Sequence, residues 1–95
     1  MVIWSKNAKL QLQKAFDYIS QDSVQNAEKV RDEIIDLTIN LSGQSEIFPL
    51  DKYKKNNDGT YRAFEIYHYR ISYRIIKDSI HILRMRHTSM SPLFY

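Results

Sequence analysis

Between Ala8 and Leu41 the apolar positions recur at helical spacing, and between Tyr61 and His87 they alternate. Ala8, Leu12, Ala15, Phe16 and Ile19 make one stripe along a first helix. Ser5 stands at its N-cap, where a hydroxyl can accept from a free backbone N–H. Gln21-Asp22-Ser23 interrupts the pattern, and Asp22 or Ser23 can cap a second helix. That helix puts Ala27, Val30, Ile34, Leu37 and Leu41 on one face, with Glu28, Lys29, Asp32, Glu33 and Asp36 mostly on the others. Gly43 falls where a left-handed C-cap residue is wanted. The spacing therefore predicts an αα-hairpin, preceded by a short β-prone run at Val2-Ile3-Trp4.

Residues 43–59 read as a loop, with Ile47-Phe48 as its apolar anchor and Asn56-Asn57-Asp58-Gly59 as a turn. Three strands follow, Tyr61 to Tyr67, Tyr69 to Lys77 and Ser79 to His87, with reversals at His68 and Lys77-Asp78-Ser79. The expected fold class is α+β: an N-terminal strand, the helical hairpin, then a three-stranded antiparallel meander completing a small sheet with helices on one face. In the middle strand Tyr69, Ile71, Tyr73 and Ile75 point toward the helices, and Arg70, Ser72, Arg74 and Ile76 toward an open face. The last strand gives no such answer. His81, Leu83, Met85 and His87 share one parity, Ile80, Ile82, Arg84 and Arg86 the other, and both sets are mixed. Thr88 to Tyr95, with Pro92, reads as an extended tail.

A chain of 95 residues suits one domain, and 43% hydrophobic with 26% charged residues is a globular balance. The absence of cysteine excludes disulfides, thiolate nucleophiles and cysteine-based zinc sites. No apolar run approaches the ~20 residues of a membrane span, and the N-terminus lacks a signal-peptide pattern, so a cytoplasmic protein is expected. Three histidines spaced 13 and 6 apart without paired carboxylates are a weak metal signal, and nothing resembles a P-loop, so no cofactor or metal is expected. The formal charge is +3, unevenly placed. Residues 1–59 hold eight Lys/Arg against nine Asp/Glu, whereas residues 60–95 hold six against two, five of the six being arginine. Arginine and tyrosine interleaved on strands suit either a solvated face or a phosphate-binding one.

Three segments go further: Tyr61-Arg62, Tyr69-Arg70-Ile71-Ser72-Tyr73-Arg74-Ile75, and Ile82-Leu83-Arg84-Met85-Arg86-His87. In this order, behind two helices and a lysine-bearing loop, they resemble the RelE/ParE superfamily of type II toxins, and the resemblance spans residues 1–95 as one toxin domain. It implies a toxin of a plasmid-stabilisation type system, neutralised by an antitoxin encoded beside it, whose segment wraps the helices and covers the sheet's concave face in a toxin–antitoxin hetero-oligomer. One branch cuts mRNA on the ribosome and the other poisons DNA gyrase; neither calls for a metal.

The first reading is the nuclease, a metal-independent mRNA endoribonuclease that inhibits translation. There the RNA's own 2′-OH attacks the scissile phosphate, and the protein must orient it, stabilise charge and protonate the leaving oxygen. The resemblance gives Arg70 to the phosphate and transition state, His87 to acid or base work, and Tyr95 to the role of a C-terminal tyrosine, provided the tail folds back. It gives Lys52, Lys54 and Lys55 to ribosomal RNA, with Arg62, Arg74 and Arg86 as further RNA or phosphate contacts. Glu46 and Glu65 are the candidate carboxylates. The set departs from the nuclease pattern near Met90, where many relatives carry a further basic residue. The alternative is a ParE-type gyrase poison, and a third reading is an inactive toxin that only binds its antitoxin.

Overall fold

The computed structural model describes residues 1–95. Strand β1 (Val2–Trp4) leads into helices α1 (Lys6–Ser20) and α2 (Val24–Asn40), and strands β2 (Tyr61–Ile66), β3 (Tyr69–Ile76) and β4 (Ser79–His87) follow the long loop. Both helix starts are built by serine. Ser5 Oγ accepts from the Ala8 N–H at 3.0 Å and donates to the Leu83 carbonyl at 2.9 Å, so one hydroxyl caps α1 and ties it to β4. Ser23, not Asp22, caps α2, accepting from the Asn26 N–H at 3.1 Å. The expected left-handed cap at Gly43 does not form. Instead α2 tightens into a 3₁₀ turn over Leu41–Gly43, and the Gln44 N–H bonds the Leu41 carbonyl at 3.0 Å. That bond satisfies a terminal carbonyl without a positive φ.

The sheet runs β1-β4-β3-β2, with β1 parallel to β4 and the other pairs antiparallel. The reversals sit where the sequence places them: Tyr67 (φ 53°) and His68 (φ 67°) turn β2 into β3, and Lys77 (φ 54°) opens the turn into β4. The two helices cover one face of this sheet, and their apolar stripe meets Ile71, Tyr73, Ile80, Ile82 and Met85 in a single core cluster. Trp4 packs against it from β1. No helix is long and apolar enough to cross a membrane.

The mixed parity of the last strand has a structural cause. Pairing runs Ser72↔Arg84 and then Tyr73↔Ile82, so Leu83 is an extra residue, a β-bulge. Ile80 and Ile82 before the bulge and Met85 and His87 after it pair with Ile75, Tyr73, Ile71 and Tyr69, and therefore share the helix-facing side. His81, Arg84 and Arg86 take the other side.

Two expectations need correction here. The sheet's far face is not open at its centre, since Ser72 is only 1% exposed. The long loop and the tail cover it: Asp51 N–H bonds the Tyr61 carbonyl at 2.9 Å, Leu50 bridges Arg62, and the tail returns across β4. The loop's anchor is Phe48 alone, stacked on Phe64 at 4.8 Å, while Ile47 stays exposed.

Candidate functional site

The polar centre of the molecule is Asp51, a residue with no sequence signal. Its backbone is pinned beside β2, and its side chain is fully buried. Oδ1 accepts from Arg70 Nη2 at 2.8 Å and from the Tyr53 N–H at 3.1 Å, and Oδ2 accepts from the Tyr95 hydroxyl at 2.7 Å. Arg70 reaches Glu65 Oε2 with its other nitrogen at 3.2 Å, and its guanidinium lies 4.8 Å over the Tyr53 ring.

The electrostatics follow from these contacts. Burial pushes the Asp51 carboxyl up, but hydrogen bonds from Arg70, Tyr95 and Tyr53 outweigh it and hold the group below its ordinary value. Burial works against the charge of Arg70, and the bonds to Asp51 and Glu65 reverse that, so it is held more firmly protonated than usual. Burial, then the hydrogen bond to Asp51 and that residue's charge, push the Tyr95 phenol well above its ordinary range. Tyr95 is a locked donor at neutral pH, not a base.

Tyr95 gets there because the tail folds back. Its N–H bonds the Tyr53 carbonyl at 3.1 Å, and its carbonyl accepts from the Lys55 N–H at 2.6 Å. Arg86 Nε donates to the Ser91 carbonyl at 2.8 Å, Arg84 donates to the Leu93 carbonyl, and the Arg84 guanidinium stacks 4.0 Å from the Tyr95 ring. Between tail and sheet remains a cavity of about 60 Å³ lined by Glu65, Arg70, Ser72, Arg84 and Arg86 among others. One buried atom near it, Arg70 Nε, has no hydrogen-bond partner.

The structure thus brings Arg70, Tyr95 and Arg86 to one face, with Glu65 and the unforeseen Asp51 and Arg84. His87, at the end of β4, lines the same cavity. It pairs with Tyr69, lies edge-on to that ring at 5.0 Å, and its Nδ1 accepts from the Ser89 N–H at 3.0 Å. Arg62 holds the loop, donating to the Phe48 carbonyl at 2.6 Å, and the Glu46 carbonyl lies 3.4 Å from the same nitrogen. Arg74 bonds Thr60 Oγ1 at 3.1 Å and stands 3.5 Å from Asp58. Lys54 lies 4.7 Å over the Tyr61 ring and Lys52 5.2 Å over Tyr53, while Lys52 and Lys55 are exposed. No three His, Asp or Glu side chains lie close enough to share a metal ion.

General acid–base work needs a group that titrates near the working pH and reaches the substrate. On this face Asp51 and Arg70 neutralise each other and the phenol is raised out of range, while Glu65 and His87 line the cavity beside them. Asp51 thus works as a clasp that joins Arg70 of β3 to Tyr95 of the tail.

Comparison with known proteins agrees with the fold. The family model described as "ParE toxin of type II toxin-antitoxin system, parDE" matches residues 2–92. Among solved structures, the chain is similar to "Chromosomal ParDE TA system from P. aeruginosa", at 19% identity, covering 90% of this chain and 92% of that one with a TM-score of 0.70. At that identity the likeness carries the fold alone. A search of the curated proteins finds no match.

Proposed function

The chain belongs to the ParE toxin family of type II toxin–antitoxin systems, and we propose that it acts as a ParE-type poison of DNA gyrase, an interaction protein rather than a ribonuclease. Family membership implies a cognate antitoxin as its partner. One observation carries the choice of target. Arg70, on which the nuclease reading turns, has both terminal nitrogens on carboxylates, and the buried one cannot be released without leaving an uncompensated charge. On the nuclease side, His87 lines the same cavity as Arg70. The return of Tyr95 to the neighbourhood of Arg70 stands there too, but its hydroxyl is engaged with Asp51.

The test is brief induction in cells lacking the antitoxin, with protein and DNA synthesis pulse-labelled separately, alongside supercoiling by purified gyrase. The expected result is an early fall in DNA synthesis, inhibition of supercoiling, and growth arrest that survives His87→Ala. An early fall in protein synthesis with mRNA cut inside coding sequence would overturn the reading.

A further inference from the structure

The clasp holds in water what folding alone would bury. Leu93 and Phe94 are 51% and 61% exposed, yet the backbone that carries them is fixed at both ends. Arg84 and Arg86 hold the Leu93 and Ser91 carbonyls, and Tyr95 is fastened through its hydroxyl, its N–H and its carbonyl. Ordering such a segment opposes folding through lost chain entropy, and the apolar side chains gain little burial in return. A rigid aromatic and aliphatic pair, already ordered, is what binding anchors look like, because little freedom remains to be lost on docking.

The surroundings identify the chemistry of what docks. Phe94 packs edge-on to Tyr53 at 5.4 Å, and Lys52 Nζ lies 5.2 Å from that same ring. Lys54 Nζ is 5.4 Å from the Tyr95 ring and Arg84 4.0 Å from it. The carboxylates nearby are engaged, Asp51 buried under Arg70 and Asp58 beside Arg74. An apolar anchor flanked by three cations complements an apolar protein pocket with carboxylates at its rim; a polyphosphate backbone would leave the anchor uncovered. We propose that Leu93 and Phe94, presented by the Asp51–Tyr95 clasp and flanked by Lys52, Lys54 and Arg84, are the anchors with which this toxin docks into such a pocket on its target. Resting on the gyrase reading above, that target is a gyrase subunit.

The experiment uses the full chain carrying Leu93→Ser and Phe94→Ser together, with thermal melting as the check on folding. Phe94→Ser alone serves if the pair melts early. Supercoiling inhibition and affinity for the antitoxin are measured on the same preparations. The expected result is a loss of on the order of tenfold or more in inhibitory potency, with antitoxin affinity within about twofold of wild type. Lys52→Glu should weaken inhibition as well, by a factor that shrinks as salt rises. Unchanged potency in the double variant overturns the docking assignment while leaving the gyrase reading standing. Equal losses for gyrase and antitoxin also overturn it, since the patch would then serve the antitoxin. If wild-type toxin leaves gyrase untouched, the target reading falls and this inference falls with it.

Discussion

Replacing Asp51 by asparagine removes a buried charge at nearly constant volume and tests whether the clasp is structural. In the native protein the carboxylate is fully enclosed and takes bonds from Arg70, Tyr53 and Tyr95. Breaking one side of a buried ion pair costs about 3–5 kcal/mol. Here Arg70 keeps Glu65, whose side chain is 55% exposed, and the new amide can still accept one or two of the hydrogen bonds. Those remnants bring the expected loss to about 2–3 kcal/mol. For a chain of this length that is a fall of roughly 8–24 °C in Tm. Urea titration reads the same quantity as a shift in midpoint at unchanged slope.

The pH dependence supplies a second arm. Folding lowers the Asp51 pKa below its ordinary 3.8. Its contribution is therefore complete above that value and is lost as pH falls through the lower folded-state value. Asp51→Asn should remove this part of the acid limb, leaving a curve flatter than wild type below about pH 4. Chymotrypsin should also cut the variant faster near Leu93-Phe94, because the tail has lost its fastening. A cost below about 1 kcal/mol, with the acid limb unaltered, would mean that the clasp does not hold the fold and would refute the reasoning.

Other expectations are simpler. Tyr95→Phe deletes the phenol and leaves Oδ2 of Asp51 short of a donor, so a loss of about 1–2 kcal/mol in urea unfolding is expected. Ser5→Ala removes the cap of α1 and the bond to Leu83 together, and should lower stability by about 1–2 kcal/mol by the same assay. Ile82→Ala, at a site with no exposure beside the bulge, should cost about 2–5 kcal/mol, and a smaller loss would mean that the core closes around the gap.

The helical stripes, the capping Ser5, the strand boundaries to within a residue or so and the reversals at His68 and Lys77 were all readable, because each rests on a local rule; the cap of α2 was narrowed to Asp22 or Ser23. The face of the last strand was not. A single extra residue at Leu83 shifts the parity, and nothing in Ile82-Leu83-Arg84 distinguishes a bulged leucine from a paired one; only the partner strand's spacing does. Asp51 was invisible for a related reason. Its loop sequence, Pro49-Leu50-Asp51-Lys52, reads as polar and solvated, and its burial depends on a tail forty-four residues away in sequence. Arg70 and Tyr95 stood out by residue type and segment, and both do converge, but residue type could not say that they converge on a carboxylate. Arg62 likewise reads as a phosphate ligand in sequence and proves to hold a loop carbonyl.

The two faces of the sheet are stabilised by different physics, and this bears on what the molecule does. The helix side is an apolar core, in which each buried side chain contributes through area removed from water. The far side is closed by an ion pair, a phenol and arginine-to-carbonyl bonds, with Arg70 Nε left unpartnered. Burying ions is a poor way to gain stability, since hydrophobic residues of similar volume commonly do as well or better. What the polar closure does provide is direction: Asp51 fixes Tyr95 at one point, Arg84 and Arg86 fix the carbonyls before it, and the intervening Leu93 and Phe94 are left half exposed. An apolar cover would draw those two side chains in. Under the reading proposed above, a toxin that works by gripping another protein needs them exposed. The same carboxylate that holds the tail engages Arg70, so Asp51→Asn would loosen the tail and release Arg70 together.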